Sequence, residues 1–441
     1  MPLKAFRDPI HNHIYFDKDR DKLILELLSC PEVQRLRRIR QLGVSSSTYP
    51  GAEHSRFGHA LGTCHLMAEA LRSAHSNQSG VRIPERMRLA ALAAALLHDV
   101  GHAPFSHLLE KELLPGMSHE RCTSEILRSS KSAVHQVLRA GDPTLPETVI
   151  ELIEARPKGE FSWVSCLLHS QIDVDRMDYL LRDSYFCGVQ YGQYDIARIL
   201  HTMRIRNVPP LRVKQPVWLE KGASAVEEYI FARYYMYCNV YYHRTTRGYE
   251  ELLRAILRRA NSQQNIGDCP EVLARVLLGE KLGIAELLAL DDSVICAQIL
   301  RWRNGATRDK ILRDLSRRFL DREGLKPLEL KRSGLRLRDA LDKARAVVKA
   351  SGFDPDFYFL TNEAIASAYD SYHPEEETRE SSAGTSILIE TEEAAGLSPA
   401  FREISRISPR LKAITDTREV REYCYVPEQC RPRVASAVAA K

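Results

Sequence analysis

The apolar positions recur mostly at helical spacing, with short alternating stretches between them. Ile10, Ile14 and Phe16 alternate with polar residues and predict a strand or hairpin within residues 1–20. A helix is expected over Asp21–Leu28, and Pro31 restarts one that runs through residues 34–41. Gly43 ends it, and residues 45–51 read as a loop. A longer helix begins near Ser55, with Phe57, Leu61, Leu66, Met67 and Leu71 as its apolar residues. Pro84 suits the first position of the next helix, Arg86–Leu97, which is alanine-rich and increasingly apolar.

Further helices are predicted over 118–127 and 146–154, and residues 167–183 place many polar side chains in an apolar frame. Glycines and prolines over 184–222 suggest loops and a small β element. Residues 223–260 read as one helix, whose Tyr234, Tyr237 and Tyr241 look like core or interface. More helices follow over 270–325, one of them with a capped start at Asp291. Residues 373–385 have the composition of a mobile loop, and 385–390 and 421–426 that of strands. The expected fold is mostly α, a helical core with a small C-terminal α+β lobe. Its division is a core over 1–260, a helical extension over 261–350 and the lobe over 351–441, with no internal repeat.

One stretch carries more polarity than packing requires. His98, Asp99, His102 and His107 fall within ten residues at the end of the alanine-rich helix, and each buried imidazole or carboxylate must find a partner or cost free energy. His98 and His102, four apart, would share a face, with Gly101 loosening the turn and Pro104 closing it. Eight of the fifteen histidines lie between His54 and His119. A helical histidine, a His-Asp pair about forty residues on and a later aspartate form the pattern H…HD…D, which resembles the HD-domain metal-dependent phosphohydrolases. The resemblance implies that His59, His98, Asp99 and Asp175 hold one divalent metal. Two imidazoles with two carboxylates suit Fe, Mn, Ni or Zn and leave positions for water and a phosphate oxygen.

Composition adds limits. A formal charge of +5 over 441 residues does not argue for nucleic acid and fits a phosphorylated small molecule equally well. The ten cysteines contain no C-x-x-C pair, the N-terminus lacks a signal-peptide core, and no apolar run reaches membrane-spanning length. A reducing cytoplasm is expected, with no membrane partner.

Four ordered motifs narrow the resemblance. Asp8-Pro-Ile-His-Asn-His-Ile14, Gln34-Arg-Leu-Arg-Arg-Ile-Arg-Gln-Leu-Gly43, Pro50-Gly-Ala-Glu-His-Ser-Arg-Phe-Gly-His59 and Ile172-Asp-Val-Asp-Arg-Met-Asp-Tyr179 are similar to the deoxynucleoside triphosphate triphosphohydrolases. The similarity is strongest to the vertebrate branch that also carries a sterile-alpha-motif domain, and it covers about residues 4–190.

That resemblance implies attack of metal-activated water at the α-phosphorus, giving a deoxynucleoside and inorganic triphosphate, with Mg accompanying the triphosphate. It assigns His102, His107 and His119 to phosphate contact or proton transfer and Glu110, an aspartate in most relatives, to orienting His119. Arg56 and Arg176, the latter a lysine in the nearest relatives, would grip phosphate. Gln41 and Leu42 would border the deoxyribose, Tyr179 would stack on or exclude around the sugar, and Asp183 would accept from its 3′-hydroxyl. Lys4, His13, Gln34 and Arg37 match a pocket for an activating nucleotide. Ser29 and Arg7 depart from the guanine-reading pattern there and leave open control by another nucleotide or by none. The resemblance also implies a homo-oligomer: a dimer, tetramer or hexamer. The arginines of 244–259 and 301–338 read mainly as solvated helix faces, with polyphosphate or nucleic acid as the alternative. Alternative functions are hydrolysis of another phosphate ester, such as a nucleoside monophosphate or cyclic nucleotide, and non-catalytic nucleotide sensing.

Overall fold

The computed structural model describes residues 2–76, 81–113, 118–155, 159–209, 213–261, 269–330, 335–367, 386–391, 400–415 and 418–439. The acidic stretch 373–385 lies outside them. The chain opens with the expected hairpin, β1 (Leu3–Asp8) against β2 (Asn12–Asp17), in which Lys4 faces Phe16 and Arg7 faces His13. Helices α1 (Lys22–Leu28) and α2 (Pro31–Arg35) follow. The helix expected through residue 41 instead tightens into a 3₁₀ turn at Leu36–Arg38, because Ile39 is extended and Arg40 bridges Ser55.

Two long helices form the centre: α3 (Arg56–Ser76) and α4 (Glu85–Leu97), the latter with Pro84 just before its first turn. The helix stops at Leu97, so the shared helical face expected for His98 and His102 does not form; His102 sits beyond a run of turns. After a 3₁₀ turn at Ser106–Leu109 come α5 (Glu110–Leu113), α6 (His119–Arg128), α7 (Ala133–Gly141), α8 (Leu145–Ile153) and α9 (Trp163–Cys166). Helix α10 (Val174–Cys187) is capped by Asp173 at its start and by left-handed Gly188 at its end.

Helix α11 (Ile196–Thr202) leads into strands β3 (Met203–Val208) and β4 (Val213–Leu219). The single helix expected over 223–260 is two, α12 (Ala223–Met236) and α13 (Arg244–Asn261), separated by a π turn at Tyr237–Tyr241. Helices α14 (Glu271–Leu277), α15 (Ile284–Leu288), α16 (Asp292–Arg303) and α17 (Lys310–Leu320) precede β5 (Lys326–Glu329), α18 (Leu335–Ala350), α19 (Pro355–Tyr358) and β6 (Leu360–Ser367). The last elements are β7 (Leu388–Thr391), β8 (Ala400–Glu403), α20 (Ile404–Ile407), α21 (Pro409–Ile414), β9 (Arg418–Val426) and α22 (Arg431–Ala439). The fold is mostly α. Its sheets run β3-β4-β7-β8 and β5-β9-β6, apart from the hairpin.

Two hydrophobic cores result. The larger joins α3, α4, α8 and α10 with the hairpin, and it also takes Ile387, Ile389, Ile404 and Leu411 from near the C-terminus. The second surrounds α13, α16 and β9 and receives Phe105 and Leu108 from the turn after the His-Asp pair. Residues from both cores line the cleft described below. No described helix is long and apolar enough to cross a membrane.

Candidate active site

His59 on α3, His98 and Asp99 just past α4, and Asp175 in the first turn of α10 converge. His59 Nε2 lies 3.0 Å from Asp175 Oδ1 and 3.8 Å from Asp99 Oδ2; His98 Nε2 lies 3.3 Å from Asp99 Oδ1 and 3.7 Å from Asp175 Oδ1. Both imidazoles have their other nitrogen committed. His59 Nδ1 donates to Asp178 Oδ2 at 2.8 Å, and His98 Nδ1 donates to the Ala95 carbonyl at 2.9 Å. Neutral rings so fixed turn their Nε2 lone pairs toward carboxylate oxygens, an arrangement that needs a proton or a cation between the two acceptors. His98 Nε2 is buried and makes no hydrogen bond. Without metal, burial opposes charging of His59, but its hydrogen bonds to Asp175 and Asp178 outweigh this and push its pKa up to about 10. The donor set and its orientation therefore fit a divalent cation: His59, His98 and Asp175 bring ligand atoms within 4.8 Å of one another, and Asp99, whose carboxylate oxygens lie beside both imidazoles, would join them in holding it.

Behind His59 stands a buried ionic network. Asp178 also accepts from His11 Nε2 at 2.7 Å and from Arg182 Nε and Nη2 at 2.8 and 2.9 Å, and Arg182 donates to Asp8 Oδ2 at 2.9 Å. Asp178 is completely buried, and Gly62 makes room for it: a Cβ at residue 62 would lie 1.9 Å from Asp178 Oδ1. Carboxylates behind metal-binding histidines fix the ring and raise its basicity. The N-terminal hairpin thus reaches the site through Asp8.

His102, His107, Glu110 and His119 form a second group beside the first. The His102 ring is stacked on His119 at 3.9 Å and 9°, and His107 stands nearly perpendicular to it at 4.7 Å. Glu110 accepts from the His119 backbone at 2.7 Å and lies 3.2 Å from His107 Nδ1 and 3.3 Å from His119 Nδ1. Burial would raise the Glu110 pKa, but these histidine contacts hold it well below the carboxylate range. His102 is fully buried with neither ring nitrogen hydrogen-bonded, although Nε2 is 3.2 Å from Asp99 Oδ1. Burial, helped by the nearby Arg56, pushes its pKa well down and keeps it neutral. Parallel stacked rings cannot aim in-plane lone pairs at one ion, so this arrangement suits proton transfer or phosphate contact better than a second metal. Gly101 permits it: a Cβ there would meet the His119 carbonyl at 2.3 Å.

A cleft of about 510 Å³ joins the two groups. Gln41, Leu42, Arg56, Arg176, Tyr179 and Asp183 all line it. Several are already engaged. Arg56 bonds Asp99 and Ser106, Arg176 bonds Asp173, and Asp183 accepts from His54 at 2.7 Å and from the Tyr241 hydroxyl at 2.8 Å. Gln41 Oε1 is buried without a partner.

The HD-domain profile matches residues 56–183, and the profile of the HD-associated region matches residues 194–325. The uncharacterized protein YwfO of Bacillus subtilis is 37% identical over 429 residues, 96% of this chain and 92% of that protein. The chain belongs to the HD-domain phosphohydrolase family. A crystal structure of a phosphohydrolase from Bacteroides thetaiotaomicron superposes with a TM-score of 0.79 at 26% identity, covering 96% of this chain and all of that one. The deoxynucleoside triphosphate triphosphohydrolase SAMHD1 of Bos taurus is 29% identical over 239 residues, 48% of this chain and 40% of that protein.

Other residues of this HD-domain phosphohydrolase escaped sequence reasoning. Tyr237, Tyr241, Arg247 and Arg254 line the cleft, although the tyrosines had the pattern of core or interface and the arginines mainly that of a solvated face, with polyphosphate or nucleic acid as the alternative. Asp178 sits within a quoted motif but looks like an ordinary helix charge. Of the residues matched to a regulatory pocket, Lys4, Gln34 and Arg37 share a second cavity of about 440 Å³ with Phe6, Ser29 and Phe57. His13 does not. It pairs across the hairpin with Arg7, on the face opposite Lys4, and bonds the Arg7 guanidinium at 2.9 Å.

Proposed function

We propose that this HD-domain phosphohydrolase cleaves deoxynucleoside triphosphates into deoxynucleoside and inorganic triphosphate. The observation that carries the reading is one cleft in which the candidate metal residues His98, Asp99 and Asp175 lie with four arginines, Arg56, Arg176, Arg247 and Arg254, and with Tyr179 and Tyr241. Guanidinium groups match phosphate oxygens in shape and charge, and this many suit a polyphosphate better than a monoester. The SAMHD1 match over about half the chain supports the same substrate class.

A divalent ion held by His59, His98, Asp99 and Asp175 would supply Lewis acidity and a more acidic water. The remaining work falls to side chains. The water oxygen ends on the α-phosphorus as part of the triphosphate, and the bond from phosphorus to the 5′ oxygen breaks. That oxygen takes a proton to leave as the deoxynucleoside hydroxyl; we assign its delivery to His119, steadied by Glu110, or to the adjacent His107, with neutral His102 stacked behind His119. Arg176 and Arg247 hold phosphate oxygens, and Tyr179 with the Tyr241–Asp183 pair borders the sugar.

The cavity beside Lys4, Gln34 and Arg37 is read as a nucleotide-binding regulatory site, and assembly into a homo-oligomer belongs to the same proposal; light scattering with and without nucleotides tests both. Activity is tested by chromatography of products from the four deoxynucleoside triphosphates, singly and in pairs, with Mn, for wild type and Asp99→Ala. Triphosphate from wild type alone supports the reading. Every deoxynucleotide left intact refutes it, and orthophosphate as product transfers the site to another phosphate ester.

A further inference from the structure

We propose that the opening of α16, in the HD-associated region, is a positioning element of the active site: Asp292, together with Arg35, holds the Ala103–His107 corner in the shape that presents His107 to the cleft and seats buried His102 behind it, against His119. The proposal rests on reading His107 and His119 as groups that act on substrate.

The corner is strained. Phe105 and Ser106 are consecutive non-glycine residues in the left-handed region, with φ of 57° and 58°. Side chains rarely adopt that conformation because Cβ crowds the backbone, so something outside the segment must hold it. Asp292 is suited to do so. Its neighbour Asp291 caps the helix, accepting from the Ser293 and Val294 amides, which frees Asp292 from capping. Asp292 Oδ1 accepts from the Phe105 amide at 2.7 Å and Oδ2 from the Arg40 amide at 2.9 Å. Both oxygens of this 5%-exposed carboxylate thus serve amides outside its own helix.

Arg35 adds a second tie. Buried to 1% exposure, it donates through Nε and Nη2 to the Leu290 carbonyl at 2.9 and 2.6 Å and through Nη1 to the His102 carbonyl at 2.9 Å. One guanidinium therefore bridges the residue preceding the Asp291–Asp292 pair and the backbone of His102.

The contacts continue into the metal residues. Ser106 Oγ donates to the Arg40 carbonyl at 2.9 Å and accepts from Arg56 Nε at 2.5 Å, and Arg56 bonds Asp99. The Phe105 ring seats in the second core, where α16 contributes Ile295 and Ile299. The corner is thus gripped by both its backbone and its ring. The HD-associated region then supplies no group to the chemistry through α16; it fixes the place of groups that do.

The test compares Asp292→Asn, which keeps one acceptor, and Asp292→Ala with Asp309→Asn. Asp309→Asn removes an ion pair to Arg259, away from the corner, while keeping an oxygen to cap α17. Five quantities are read on the full chain: the melting midpoint, hydrogen exchange over residues 100–108, bound Mn, and kcat and KM for whichever deoxynucleotide the wild type cleaves. The expected result for Asp292→Asn is faster exchange at the corner and a kcat lower by about 10- to 100-fold, the scale of an ångström-level misplacement, with KM and Mn nearly unchanged. Asp292→Ala goes further in the same direction, and Asp309→Asn melts earlier but keeps its kcat. Wild-type exchange and kcat in Asp292→Asn overturn the proposal, as does a kcat loss matched in Asp309→Asn. If the wild type cleaves no deoxynucleotide, the proposed function fails, and the exchange measurement alone decides whether α16 holds the corner.

Discussion

Asp178→Asn is the most revealing single perturbation of the metal centre, because Asp178 touches no substrate yet orients a ligand. Its carboxylate receives four donors, from His11, His59 and twice from Arg182, and none of it is exposed. An asparagine keeps the shape but presents an NH₂ group to one of those donors and removes the negative charge. Breaking a buried ion pair by altering one partner costs about 3–5 kcal/mol; Arg182 retains Asp8, so the loss should sit near the lower end, about 3 kcal/mol. At roughly 2 cal/mol/K per residue of unfolding entropy, that lowers the melting midpoint by only about 3 °C for a chain of 441 residues, leaving folded protein to assay. The larger effect is on the metal. With Nδ1 of His59 no longer held by a carboxylate, affinity should fall by about 10- to 100-fold, the usual consequence of losing such a partner. Chelator competition with Mn, paired with thermal melts, reads both quantities. A folded Asp178→Asn that binds Mn as tightly as wild type would refute the reasoning.

Other consequences follow from the same geometry. In the metal-free protein His59 titrates near pH 10, above its unfolded value of about 6.5, so its contribution to apo stability is complete below pH 6.5 and is lost as pH rises toward 10. Metal must displace that proton, so calorimetry in buffers of different ionisation enthalpy should show proton release at pH 7, with Mn affinity rising between pH 6 and 9; pH-independent binding contradicts this. Gly62→Ala forces a methyl group onto Asp178 and should cost about 1–3 kcal/mol while weakening metal binding, as melts and Mn content will show. Arg176→Ala should raise KM for a deoxynucleoside triphosphate by about tenfold, the worth of one charge-assisted contact, without changing Mn content; an unchanged KM removes Arg176 from the phosphate site.

The local sequence made His98 and Asp99 visible, since a charged pair ending an alanine-rich helix has no packing role. The hairpin, the two long helices and the start of α16 were legible for similar reasons: alternation, apolar spacing and cap chemistry are local. What escaped depends on closure of the chain on itself. The end of α4 at Leu97 follows from turns clamped by Thr123, whose hydroxyl donates to the His98 carbonyl from another helix. Asp178 was hidden because a carboxylate on a polar-rich helix looks like a surface charge until Arg182, His11 and His59 surround it. Tyr241 read as core because its spacing is helical, whereas the π turn directs its hydroxyl to Asp183. Asp292 stands in the sequence only as the neighbour of the capping Asp291, and only the fold brings Phe105 and Arg40 to it.

In the proposed reaction the HD-site residues direct water to the α-phosphorus of a deoxynucleoside triphosphate. The direct measurement is ³¹P NMR of products formed in ¹⁸O-enriched water with Mn, for wild type and Asp99→Ala. The expected products are inorganic triphosphate carrying ¹⁸O on a terminal phosphorus and a deoxynucleoside with an unlabelled 5′-hydroxyl, with no turnover in Asp99→Ala. Pyrophosphate or orthophosphate as the first product, label in the deoxynucleoside, or undiminished turnover in Asp99→Ala would contradict it.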